Sequence, residues 1–146
     1  MDETVDQPPT ETSTPGQPQP GTITLPLGLL GFEAIKQYVL LASPEEAPFL
    51  WLQVAGEAGL SFLVVSPGVA CADYAPELSA EDVAFLGLRT AEDAMMFNIV
   101  TLHADGRATV NLKGPVVVNR HTLVGKQVVP LNAVRYPTQH PLPVAA

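Results

Sequence analysis

Asn111-Leu-Lys-Gly-Pro-Val-Val-Val-Asn119, followed closely by Gly125-Lys-Gln-Val-Val129, decides how this chain folds. Three consecutive valines have the β-branched shape that suits a pleated strand. Lys113-Gly-Pro115 before them predicts a bend or bulge, with Gly114 allowing backbone that other residues resist. Asn111 and Asn119 bracket the strand, where asparagine closes turns through side-chain-to-backbone bonds. None of the polar residues here has the chemistry of a nucleophile, a general base or a metal ligand. The stretch reads as fold and surface.

Working outward, the same strand signals recur. Thr22–Leu25, Tyr38–Ala42, Phe49–Val54, Leu60–Ser66, Met95–His103, Arg107–Leu112, Pro115–Asn119 and Lys126–Val129 are short apolar or alternating runs punctuated by Gly and Pro. Gly56–Gly59 is a turn region, and Asp105-Gly106 predicts a tight hairpin turn. One helix is expected after Ser79, an N-cap hydroxyl followed by Glu81 and Asp82 in the first turn, with Gly87 as its stop. A shorter helical turn is expected near Phe32–Lys36. The strands lie too close together for βαβ crossovers. The expected fold is therefore all-β and mostly antiparallel, a small β-barrel with one short helix.

Composition bounds the rest. The chain has 146 residues, 47% of them apolar, and a single cysteine, Cys71, which excludes an internal disulfide framework. Residues 1–20 hold five prolines, five Thr/Ser and four acids, too little apolar surface to offset ordering, and are expected to be a disordered tail. Residues 21–146 form the domain. The tail lacks the basic and apolar regions of a secretory signal, and no apolar run matches a membrane helix, so a cytoplasmic protein is expected. Net charge is −8 but unevenly spread: residues 21–105 hold eleven acids against Lys36 and Arg89, whereas residues 106–146 hold five bases and no acid. So acidic a chain is a poor partner for nucleic acid and a better one for a basic protein.

Catalytic and metal chemistry find little support. Cys71 could pair with His103, His121 or His140, but it sits in Val-Ala-Cys-Ala-Asp with no helix start or base to activate it, which favours a buried structural thiol. The histidines are 18 and 19 residues apart, without the close pair that zinc sites show. Gly28-Leu-Leu-Gly31 matches no phosphate-binding loop and is read as turn geometry. The adjacent acids Glu45-Glu46, Glu81-Asp82 and Glu92-Asp93 suit solvated faces. No cofactor is expected. Phe49, Leu50, Trp51 and Leu52 are read as core.

Seven segments in order resemble the FliW family of flagellar assembly factors: Leu25–Glu33, Phe49–Gln53, Phe62–Pro67, Asp73–Ser79, Asn111–Asn119, Gly125–Val129 and the ending from Tyr136-Pro to His140-Pro-Leu142. The resemblance spans residues 22–142. It implies a small β-barrel without enzyme activity that binds CsrA, a dimeric RNA-binding repressor of translation, and relieves its block on flagellin synthesis. It also implies flagellin as the competing partner. The chain departs from the family where a Pro/Gln-rich tail replaces an opening edge strand, and at Cys71-Ala-Asp73. Candidate partner-binding residues are Asp73, Tyr74 and Glu77 in the loop before the helix, Glu92 and Asp93 after it, and Lys113, Asn119 and Gln127 from the opening stretch. Two other readings are a flagellin-binding chaperone without CsrA control, and a small ligand-binding or enzymatic barrel using Cys71.

Overall fold

The structure is a computed structural model and describes residues 21–56 and 60–142. The expected tail, residues 1–20, and most of the Gly56–Gly59 turn lie outside the described residues. Among these residues nine strands form one antiparallel sheet: β1 Thr22–Thr24, β2 Gln37–Ala42, β3 Phe49–Val54, β4 Ser61–Val65, β5 Ala94–Leu102, β6 Ala108–Val110, β7 Val116–Asn119, β8 Gly125–Gln127 and β9 His140–Pro141. Among the described residues two α-helices accompany them, α1 Pro67–Ala70 and α2 Ala80–Leu86. The all-β expectation holds, with one single-turn helix more than foreseen.

Strands β1 to β5 pair in sequence order. Along the other edge of β5, β6 and β7 lie end to end. Val100 pairs with Val110 in the first ladder; continued unbroken, that register would set Phe97 opposite Lys113, yet Phe97 pairs with Val116. Three extra residues are therefore absorbed between β6 and β7, in the segment where the Lys113-Gly-Pro115 bend was expected. The Asn111 side-chain oxygen holds this bulge by accepting the Lys113 and Gly114 N–H groups, each at 3.0 Å. Beyond β7 lies β8, and beyond β6 lies β9.

The sheet does not close through a full ladder. Strand β1 returns to the start of β8 at one parallel bridge, Thr24 to Val124, where Thr24 N–H donates to Leu123 O at 2.9 Å. The barrel is thus loosely closed, and its seam lies between β1 and β8.

The valine run shows why the strand signal lacked polar alternation. Val116 and Val118 face the main core with Ile23, Leu25, Leu29, Tyr38, Leu52 and Phe97. Val117 faces the other way and is covered by Leu86 of α2 and by Val128. A strand buried on both faces reads as a continuous apolar run. A second cluster, around Val65, Val110, Leu112 and Leu142, takes in Phe49, Cys71, Tyr74 and Tyr136. Trp51, read from sequence as core, is only half-buried and donates its indole N–H to Glu46 Oε1 at 3.1 Å.

Helix α2 forms as its sequence predicts. Ser79 Oγ accepts the Asp82 N–H at 3.0 Å, and Gly87 ends the helix in the left-handed region at φ 67°. The helical turn expected near Phe32–Lys36 is absent. Leu25 N–H donates to Lys36 O at 2.7 Å and Phe32 N–H to Leu29 O at 2.7 Å, so the chain doubles back as a compact reversal. Gly28 makes this possible: its φ is +70°, and a Cβ there would lie 2.6 Å from Glu33 Cα.

Candidate functional site

Three segments singled out in the sequence meet at the barrel seam. The 26–33 reversal, the Asn111–Gly114 bulge and the end of β8 enclose a groove of about 320 Å³. Gln127 ties them together from beneath: its Oε1 accepts the Leu30 N–H at 2.8 Å, and its Nε2 donates to Gly114 O at 3.0 Å. Lys113 reaches past the groove and donates through Nζ to Ala133 O at 2.7 Å. On the opposite wall Glu33 accepts the Gly31 N–H at 3.0 Å, a bond that holds its carboxyl below the ordinary carboxylate range. The rim is apolar and exposed: Leu27 at 52%, Leu30 at 82% and Val129 at 70%. Exposed leucine and valine beside a concave polar floor mark an interaction surface rather than a core.

A second feature adjoins the groove. The segment after β8 is fastened to the loop before α2, with Leu131 N–H donating to Glu77 O at 2.7 Å and Glu77 N–H to Asn132 Oδ1 at 2.9 Å. Asn132 Nδ2 completes the clasp on Ala75 O at 3.0 Å. This places exposed Glu77 next to exposed Leu131.

The eight candidate residues divide by what they touch. Asp73, Glu77 and Glu92 have exposed side chains. Lys113 and Gln127 belong to the groove. The other three serve the fold. The Tyr74 hydroxyl donates to Leu112 O at 2.6 Å and accepts from Asn98 Nδ2 at 3.3 Å, while its ring meets Tyr136 edge-on at 4.7 Å. Burial pushes that hydroxyl's pKa up. Asp93 accepts the Arg89 and Thr90 N–H groups at 2.9 and 3.0 Å and contacts His121 Nε2 at 3.0 Å. The Arg89 bond leads in lowering its pKa. Asn119 is buried, donating to Leu86 O at 2.8 Å and accepting the His121 N–H at 2.8 Å.

Sequence reading missed Leu27, Leu30 and Val129. The available signal was a pair of leucines in a Pro/Gly-punctuated reversal, outside any alternating strand. Cys71 is half-buried against the second core cluster, while His103 and His121 bond Thr109 and Asp93. Among the described residues, no group of three His, Cys, Asp or Glu side chains is gathered as a metal would need, and no helix is long and apolar enough to cross a membrane.

A small, loosely closed antiparallel barrel with a groove at its seam is the class of protein that fold and site define. Known proteins give the class a family. The FliW protein family model matches residues 10–142. The flagellar assembly factor FliW of Natranaerobius thermophilus is 40% identical over 122 residues, covering 82% of this chain and 80% of that protein. That of Geobacter sulfurreducens is 39% identical over 120 residues, covering 82% and 74%. A crystal structure of the flagellar assembly factor FliW superposes with a TM-score of 0.75 at 31% identity, covering 85% of this chain and 86% of the other. The chain belongs to the FliW family of flagellar assembly factors.

Proposed function

We propose that this chain is a cytoplasmic, non-catalytic regulator of flagellar assembly that binds the translational repressor CsrA and withholds it from flagellin messenger RNA, with flagellin as the competing partner. The family likeness supplies the partners. The observation that carries the reading is the disposition of charge. Five of the seven Lys and Arg side chains bond within the chain: Lys36 to Glu33 O, Arg107 to Asp105, Lys113 to Ala133 O, Arg120 to Glu92 O and Lys126 to Asp82. Asp73, Glu77, Glu81 and Glu92 remain exposed along one stretch of chain. These bonds shape the fold but offset charge only where the partner is a carboxylate, at Arg107 and Lys126; the acidic field comes from residues 21–105, which hold eleven acids against two bases. A repressor that grips RNA must carry a basic surface, so such a field speeds encounter and fixes orientation.

The test is calorimetric titration of the chain with CsrA at rising salt. Binding weakens as salt increases, and Asp73→Lys with Glu77→Lys weakens it about ten-fold at low salt, in keeping with like-charge juxtaposition. Unchanged affinity in that double variant would refute the acidic-face reading. Adding flagellin to the preformed complex releases CsrA.

A further inference from the structure

We propose that the seam groove is a docking site for an extended protein segment, apolar at its centre and flanked by basic residues, which pairs with the outer edge of β8. This rests on the protein-binding reading above and assigns it a place. Val128 N–H donates to Pro115 O at 2.9 Å, so in the alternation of an antiparallel pair Gln127 and Val129 direct their N–H and C=O groups away from β7. That outward side is where β1 would continue, but β1 leaves β8 after the single Thr24–Val124 bridge and turns into the 26–33 reversal. Among the described residues, no bond fills the Val129 backbone positions. An open strand edge of this kind adds a partner strand through main-chain bonds, with pockets choosing its side chains.

The walls say what those side chains are. Leu27, Leu30 and Val129 offer apolar contact on both sides of the edge. Acids stand at both ends, Glu33 lining the groove itself and Glu77 where Leu131 continues the edge, while Lys113, which also lines the groove, turns its ammonium to Ala133 O. Leu131, the next residue to face outward, already gives its N–H to Glu77 O, which ends the open edge after Val129. The occupant is thus a short apolar strand with a lysine or arginine at each end.

Replacing Leu30 or Val129 by Asp separates this from simple charge attraction. Each substitution adds negative charge to a face that draws a basic partner, so electrostatics alone would hold or tighten binding, whereas lost groove contact weakens it. Leu102→Asp, on an equally exposed leucine at the end of β5, is the control. Titrations of the full-length chain use CsrA and, separately, a synthetic peptide with a valine–leucine centre and lysine ends, followed by amide chemical shifts. With melting temperatures unchanged, Leu30→Asp and Val129→Asp bind CsrA at least ten-fold more weakly and Leu102→Asp stays within two-fold. If CsrA binds all variants alike, the groove assignment is wrong while the regulator reading stands. If CsrA does not bind but the peptide shifts residues 27–31 and 126–131, and Leu30→Asp abolishes this, the groove stands and the choice of partner falls. If neither probe binds, both fail. Groove shifts that grow with protein concentration alone assign the edge to a second copy and overturn the proposal.

Discussion

Replacing Asn119 with alanine removes one side chain that serves two distant pieces of backbone. Its Nδ2 donates to Leu86 O at 2.8 Å and, more weakly, to Gly87 O at 3.4 Å, fastening the end of α2 to β7. Its Oδ1 accepts the His121 N–H at 2.8 Å and the Thr122 N–H at 3.3 Å, shaping the turn into β8. The two short bonds are each worth about 1 kcal/mol net, and stranding the buried Leu86 carbonyl adds roughly 1–2 kcal/mol. The expected loss is about 3–4 kcal/mol, which for a domain of this size lowers Tm by roughly 12–16 °C. Urea denaturation gives the free energy, provided the m-value is unchanged. Asn119→Asp sharpens the test. It keeps the acceptor but turns a second oxygen toward Leu86 O, so it should be no better than alanine. A loss below about 0.5 kcal/mol for both variants would show that the Asn119 bonds do not fasten α2. It would also reopen a surface role for the residue, because a staple lowers partner binding only by lowering the folded fraction.

Two further perturbations test local parts of the same argument. Gly28→Ala combines a φ of +70° with a Cβ 2.6 Å from Glu33 Cα and Phe32 O, whereas Gly31→Ala meets a φ of +89° in open space. Thermal melts should show Gly31→Ala costing about 1 kcal/mol and Gly28→Ala at least about 3 kcal/mol, so equal costs would contradict the close approach. Asp93 has its folded pKa held below the usual 3.8, led by the Arg89 N–H bond. Its contribution is present above the unfolded value and is lost as pH falls from about 3.8 through the folded value. In acid titrations of stability the Asp93→Asn variant therefore shows a flatter acid limb than the wild type in that window, and parallel limbs would refute the linkage.

How much of this was legible depended on whether a residue's partners lay nearby in sequence. Strand β3 was readable residue for residue, because Pro48 and the Gly56 turn bound an apolar run. The α2 start was equally plain, since Ser79 caps a donor three residues on. Strand β9 was not: it has two residues, one of them proline, and exists because Val110 and Thr109 offer an edge. The missing helix at Phe32–Lys36 fails for a similar reason, as the Leu25–Lys36 bond imposes a reversal that local propensity does not announce. Among the candidate site residues, Tyr74 and Asn119 show this limit most plainly. Their short-range surroundings look like loop and turn, yet Tyr74 is bound to Leu112, 38 residues away, and Asn119 to Leu86, 33 away. Polarity predicts that a group needs partners; it does not say whether those partners belong to the same chain.

The opening stretch carries two duties that the structure separates. The three residues absorbed at Asn111–Pro115 let β6 and β7 share one edge of β5, and the same bulge supplies the Gly114 carbonyl on which Gln127 rests. Register and groove floor are therefore one device. Damage to Asn111 or Gln127 reaches both, and a binding defect in either says little about contact. The rim is different. Leu27, Leu30 and Val129 are exposed, so their apolar surface contributes little to the folded state and gains most when a partner covers it. Polar residues here hold the barrel together while apolar ones face solvent, the reverse of what a folded surface needs for itself. At the seam this inversion coincides with an open strand edge, and it makes the rim a place where function and stability can be varied independently.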